Sequence, residues 1–124
     1  MTEQAAGDQP LAFVIEDDPK QAAIFLQALQ MAGYATELVN DGGLALERLL
    51  AARPSLVVLD LQLPNASGET ILRQLRAEPS LAAMRVLLAT AQDRRAEHLR
   101  ALSDLILLKP VSFVQLRDLA LRLR

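Results

Sequence analysis

The chain has no cysteine and no tryptophan, and only one histidine, one tyrosine and three phenylalanines among its 124 residues. Without cysteine, neither a disulfide framework nor a thiolate metal centre can form, a composition compatible with a reducing compartment. A basic surplus is also missing. Thirteen Lys and Arg against fifteen Asp and Glu give a net charge of -2 and a pI near 5.3, so direct contact with nucleic acid is not expected. No apolar run reaches membrane-spanning length, and the amino terminus MTEQAAGDQP has no basic, apolar, small-residue signal pattern. These absences predict a soluble, cytoplasmic protein without membrane contact.

What the chain does have is apolar content, at 52% of residues, enough to close one core and too little length to divide comfortably into two. Residues 1–10 are small and polar and read as a tail. Residues 11–124 read as one domain, with no repeat, linker or low-complexity tract.

From Leu11 the texture alternates between short aliphatic runs and helical spacing. Leu11–Ile15 is a strand that ends on Glu16, Asp17 and Asp18, with Asp18 as helix cap and Pro19 as first helical residue. A helix over 19–32 carries Ala22, Phe25, Leu26 and Leu29 on one face and stops at Gly33. A second strand is expected over 34–39, a turn at Asn40 to Gly43, and a second helix over 44–52 that halts before Pro54. The third strand, 55–60, reads SLVVLD; Pro64, Asn65, Ser67 and Gly68 make a loop, and Ile71, Leu72 and Leu75 carry a third helix. A fourth strand is expected over 84–89, a fourth helix over 92–102, a fifth strand over 105–108, and a last helix capped by Ser112 with Gln115 in the capping-box position.

Five aliphatic runs without polar alternation predict strands buried on both faces, and helices between them predict right-handed crossovers into a parallel sheet. The fold class is therefore α/β, a three-layer sandwich. Ligands of such sheets sit beyond the carboxyl ends of the strands. Those ends carry Glu16 and Asp17, Asp60, Thr90 and Lys109. Taken singly, each has an ordinary explanation: an Asp makes turns, a Thr suits strands, a Lys carries surface charge. Turn formation does not require all of them on one rim.

Charge then restricts the chemistry. Two carboxylates about 4 Å apart repel by roughly 4 kcal/mol at the effective dielectric of a partly exposed site, so three acids need cations. Lys109 supplies one. An all-oxygen set without histidine or thiolate suits a hard divalent ion with open positions, Mg²⁺ rather than a full calcium cage. A cation, an ammonium and a hydroxyl facing a carboxylate would stabilise a transferring phosphoryl group, and the carboxylate can be the nucleophile.

Four motifs, FVIEDDP, LVVLDLQLPNASGE, LLATA and LLKP, stand in order at strands one, three, four and five. With them the chain resembles, from Leu11 to Leu123, the receiver domain of two-component response regulators. The resemblance implies the flavodoxin-like strand order 2-1-3-4-5. It implies that Asp60 accepts a phosphoryl group from a phosphohistidine on a histidine kinase or a histidine phosphotransfer protein. Mg²⁺ would be held by Asp17, Asp60 and the backbone carbonyl of Gln62, with Glu16 acting through water. Thr90 would bond a phosphoryl oxygen, Lys109 would pair with the phosphoryl charge, and Pro110 would follow a cis bond. The module would catalyse its own phosphorylation and dephosphorylation without being an enzyme in the ordinary sense. Its output surface would comprise the fourth helix, fifth strand and fifth helix.

The chain departs from the family pattern at Ile106, where receivers usually carry an aromatic residue, and in the shortened stretch RALSDLILLKP before Lys109. Relay through an aromatic rotamer therefore cannot take its usual form, and a displaced or short fourth helix is expected. Gln62 and Gln92, two residues after Asp60 and Thr90, are neither acidic nor basic, which predicts unexceptional self-dephosphorylation. Ile24, Ala28 and Met31 form a second apolar stripe on the first helix, either a broad buried face or, with Gln21, a kinase-docking face. Val114 and Leu121 on the last helix are a candidate dimer or output patch. His98, within the mixed-charge run AQDRRAEHLR, is expected to face solvent. Two alternatives stand beside the receiver reading: a pseudo-receiver that binds partners without phosphate control, and an aspartate-nucleophile phosphatase of the haloacid dehalogenase type. The phosphatase would want an acid where Gln62 stands.

Overall fold

The computed structural model describes residues 9–63, 67–91 and 97–124. The expected tail falls almost wholly, and Pro64, Asn65 and Gln92 fall entirely, outside the described residues. Five parallel strands, β1 (Leu11–Ile15), β2 (Ala35–Val39), β3 (Leu56–Asp60), β4 (Arg85–Thr90) and β5 (Leu105–Leu108), form one sheet in the order β2-β1-β3-β4-β5. The helices are α1 (Pro19–Met31), α2 (Ala45–Ala52), α3 (Gly68–Arg76) and α4 (Phe113–Arg122).

Alternate side chains of the central strands go to opposite faces, as pleating requires. Ala12, Val14, Leu56, Val58, Leu87 and Ala89 pack with Phe25, Leu29, Leu116 and Ala120 of α1 and α4. Phe13, Ile15, Val57, Leu59, Val86 and Leu88 pack with Leu49 of α2 and Ile71, Leu72 and Leu75 of α3. Both clusters are buried, and together they hold the sheet between two helical layers. On the α1 and α4 side, the buried Tyr34 hydroxyl donates to the Ala120 carbonyl at 2.8 Å, which satisfies its polar tip.

The local signals act as read. Asp18 accepts from the Lys20 amide at 3.1 Å with Pro19 opening α1, and Gly33 turns the chain out of α1 with a φ of 95°, a conformation that costs a side chain energy. Arg53 ends α2 in the left-handed region, at φ 49°. Ser112 accepts from the Gln115 amide at 2.9 Å to start α4.

Two expectations are corrected. β2 and β5 are not buried on both faces: Leu38 and Leu108 are exposed and Ile106 is half-buried, because both strands are sheet edges with a neighbour on one side only. The fourth helix is not an α-helix in its described part, where Glu97–Leu102 is a 3-10 helix. Leu99 and Leu102 both pack on the α3 side of the sheet, and residues three apart share a face when a turn takes three residues.

At its far end this short connection is held by Arg76, the last residue of α3. Its guanidinium donates to the Leu102 carbonyl at 2.7 Å, the Met84 carbonyl at 2.8 Å and the Asp104 carboxylate at 3.2 Å. Asp104 in turn accepts from the Val86 amide at 2.7 Å. Charge-assisted bonds of this kind are worth about 1.5–3 kcal/mol each, and unpairing the carbonyls adds a desolvation cost. Arg76→Met is expected to lower unfolding free energy by about 2–3 kcal/mol, read from urea unfolding curves, with the strand order retained.

Candidate functional site

Each central strand ends on a polar residue because the next residue leaves the apolar layer. β1 hands over to Glu16 and Asp17, β3 ends on Asp60, β4 ends on Thr90, and β5 hands over to Lys109. The ladder continues past the strands, with the Glu16 amide on the Val39 carbonyl at 3.1 Å, Leu61 on Ala89 at 3.1 Å and Lys109 on Thr90 at 2.8 Å. Backbone bonding therefore brings these five side chains to one edge. The Lys109–Pro110 peptide bond is cis.

Glu16, Asp60 and Thr90 are buried, whereas Asp17 is exposed. The three carboxylates each offer an oxygen within 4.8 Å of the others. Lys109 Nζ donates to Asp60 Oδ1 at 3.0 Å and lies 3.7 Å from Glu16 Oε1. The Gln62 amide donates to the same Asp60 oxygen at 3.0 Å. Glu16 Oε2 accepts from the Asp18 amide at 3.3 Å. Its Oε1, by contrast, is buried without a hydrogen-bond partner among the described residues. Among the described residues, one ammonium thus faces three acids.

The imbalance appears in protonation. Burial, then the close approach and repulsion of Asp60, push the Glu16 carboxyl up to about 7, against the pull of Lys109 and the Asp18 amide. An orphaned buried oxygen, two further carboxylates and hard oxygen donors are what a divalent ion would find in this pocket, so the donor set fits Mg²⁺.

Gly68 opens α3 directly beneath Asp60. A Cβ there would come within 2.5 Å of the Asp60 carbonyl oxygen and of Leu61 Cα, so the helix can approach the strand end only with glycine. Ser67 caps α3 by accepting from the Glu69 amide at 3.2 Å.

Sequence reasoning named Glu16, Asp17, Asp60, Gln62, Thr90 and Lys109, and the structure brings all six to one edge. It missed a neighbouring cavity of about 190 Å³ lined by Leu61, Gln62, Ser67, Glu69, Thr90, His98 and Leu99. His98 is exposed as expected, yet its Nε2 lies 3.2 Å from Glu69 Oε1; no pattern in the sequence links residues so far apart. On α1, Ala28 is buried while Ile24 and Met31 are exposed, so the second stripe splits between core and surface.

The family model of the response regulator receiver domain matches residues 12–121. This chain belongs to that family. It is 33% identical over 124 residues to the probable transcriptional regulatory protein TcrX of Mycobacterium tuberculosis, covering 98% of this chain and 51% of that protein. It is 30% identical over 117 residues to the sensor histidine kinase TmoS of Ectopseudomonas mendocina, covering 92% of this chain and 12% of that protein. The chain therefore spans about half of the length of one of these curated relatives and about an eighth of the other. Among solved structures, the receiver domain of a signal transduction histidine kinase from Syntrophus aciditrophicus is 31% identical with a TM-score of 0.80, covering 92% of this chain and 89% of that one. A receiver domain from Methylobacillus flagellatus gives 0.84 at 25% identity, covering 94% and 100%.

The raised Glu16 carboxyl makes a prediction for the metal-free chain. An acid held at about 7 when folded and at its ordinary 4.5 when unfolded binds more protons in the folded state, so its contribution to stability falls as pH rises between those values and levels off above. The difference is on the order of 3 kcal/mol. Urea unfolding at pH 5 and pH 7.5 without divalent ions should show that loss in the parent chain, and Glu16→Gln should remove most of it.

Proposed function

We propose that residues 11–124 act as a phosphoacceptor receiver module in which Asp60 is the modified residue, Asp17, Asp60 and the Gln62 carbonyl hold Mg²⁺, and Glu16 contributes through water. The observation that carries this reading is that, among the described residues, the single ammonium of Lys109 is set against three carboxylates, one of which has a buried oxygen without a hydrogen-bond partner. Such a site is short of positive charge until a divalent cation enters.

In the reaction, an Asp60 oxygen attacks the phosphorus of a phosphohistidine on a histidine kinase or phosphotransfer protein. The oxygen–phosphorus bond forms as the phosphorus–nitrogen bond breaks, and the departing imidazole takes a proton from solvent. Mg²⁺, when bound, neutralises charge on the transferring oxygens. Lys109 keeps the Asp60 carboxylate oriented and pairs with the phosphoryl charge, while Thr90 offers a hydroxyl to one phosphoryl oxygen. Hydrolysis of the acyl phosphate at the same site resets the module, and Gln62 brings no general base to it.

The products differ in charge, which is the basis of a switch: an acyl phosphate adds negative charge and acceptor oxygens beside Thr90. The output face in this reading is the 3-10 helix Glu97–Leu102, β5 and α4, where Leu105, Leu108, Val114 and Leu121 are exposed, a surface suited to a target protein or a second copy. The docking face for the phosphodonor in this reading includes the exposed Ile24 of α1, with Gln21 beside it. No described helix is long and apolar enough to cross a membrane, in keeping with a cytoplasmic role.

Acetyl phosphate with Mg²⁺ should label the parent chain once, and Asp60→Asn should reduce labelling to background, read by intact-protein mass spectrometry. Undiminished labelling of the variant would move the modified residue elsewhere.

A further inference from the structure

The end of the sheet opposite Asp60 carries a second concentration of charge. Two adjoining cavities, of about 470 Å³ and about 160 Å³, lie where β3, β4 and β5 begin, and Ala83 and Met84 line both. Arg76, Arg85 and Asp104 line the larger cavity, and Arg53 lines the smaller. Backbone bonds fix this edge, with the Arg85 amide on the Ser55 carbonyl at 3.0 Å and the Asp104 amide on the Val86 carbonyl at 2.8 Å. Among the described residues that line this trough, three guanidiniums thus meet one carboxylate.

That carboxylate engages only part of the donor set. Asp104 accepts from Arg76 Nη2 at 3.2 Å, from Arg85 Nη1 at 3.4 Å and from the Val86 amide at 2.7 Å. Arg76 commits three of its five N–H groups, to Asp104 and to the Leu102 and Met84 carbonyls. The Arg85 side chain is 54% exposed and meets Asp104 through one nitrogen. A guanidinium presents paired donors that fit a carboxylate or a phosphate, so the Arg85 fork can take a second oxyanion.

Arg53 stands at the other end of the trough, three residues before Leu56, which is the partner of Arg85 across the sheet. Its backbone lies in the left-handed region, at φ 49° and ψ 63°, where glycine ends a helix at lower cost. This position therefore carries an exposed cation in spite of backbone strain. Between Arg53 and Arg85 lies the apolar waist of Ala83 and Met84.

We infer that this trough binds a small dianion, a molecule with a carboxylate or phosphate group at each end of a short apolar chain. One end would sit on Arg85 and Arg76 and the other on Arg53. A cavity of a few hundred Å³ is of the size that holds small molecules, and two oxyanion groups match cations placed on either side of an apolar waist. The site lies at the amino ends of the strands and is independent of the phosphoacceptor reading.

Suberate and hexanediol bisphosphate probe the carboxylate and phosphate forms, and octanoate is the control with one charged end, each followed by amide chemical shifts. At least one dianion should give saturable shifts at residues 53–55, 80–85 and 101–104 and bind more tightly than octanoate. Arg85→Gln, which leaves Asp104 its bonds to Arg76 and Val86, should weaken that binding about two- to fivefold, the range of one exposed ion pair. Arg53→Gly should weaken it by a similar factor while keeping the urea midpoint at or above that of the parent, because glycine suits the left-handed position. The second variant separates loss of a ligand contact from loss of fold. No saturable shift with either dianion, octanoate binding as tightly as both, or parent affinity in either arginine variant overturns the site.

Discussion

The constraint on which the structure depends is the crowding of three carboxylates around one ammonium at the carboxyl edge of a parallel sheet. Repulsion among such groups amounts to several kcal/mol if all are ionised, and burial of Glu16 raises that cost. The apolar layers make the crowding affordable: β1, β3 and β4 sit between two buried apolar clusters that hold the strand ends at fixed separation. Lys109 cannot relax the arrangement, because its backbone amide is locked to Thr90 while its ammonium reaches Asp60. The described residues thus set three carboxylates against one ammonium, the arrangement on which the proposed binding of a divalent ion and a phosphoryl group rests.

The same framework explains how a change at Asp60 can travel. Asp60, Gln62 and Gly68 are connected within a few residues, and Gly68 lets α3 abut the strand end without an intervening side chain. On the other flank, Arg76 and Asp104 fix the base of β4, β5 and the 3-10 helix far from the site. Arg76 thereby ties the carboxyl end of the 3-10 helix to the end of α3.

Much of this was legible in the sequence because it depends on local rules. Uninterrupted aliphatic runs such as LVVLD marked central strands, Asp18 with Pro19 and Ser112 with Gln115 marked helix starts, and the polar residues terminating those runs are the ones the fold brings to one edge as a candidate site. Edge exposure of β2 and β5 was not legible, since the apolar pattern of Leu105–Leu108 looks the same whether one face or two are covered. The 3-10 form of Glu97–Leu102 was hidden because spacing of three at Leu99 and Leu102 also fits an α-helix. Pairings across long separations, Arg76 with Asp104 and His98 with Glu69, follow only from the folded arrangement.

The most direct test of the charge deficit is calorimetric titration of Mg²⁺ into the parent chain and into Asp17→Asn at neutral pH. The account predicts one saturable site in the parent, with proton release as Glu16 ionises, and binding weakened at least tenfold in the variant, about 1.4 kcal/mol or more. Equal Mg²⁺ affinity in the two proteins, or no saturable site in the parent, would contradict it.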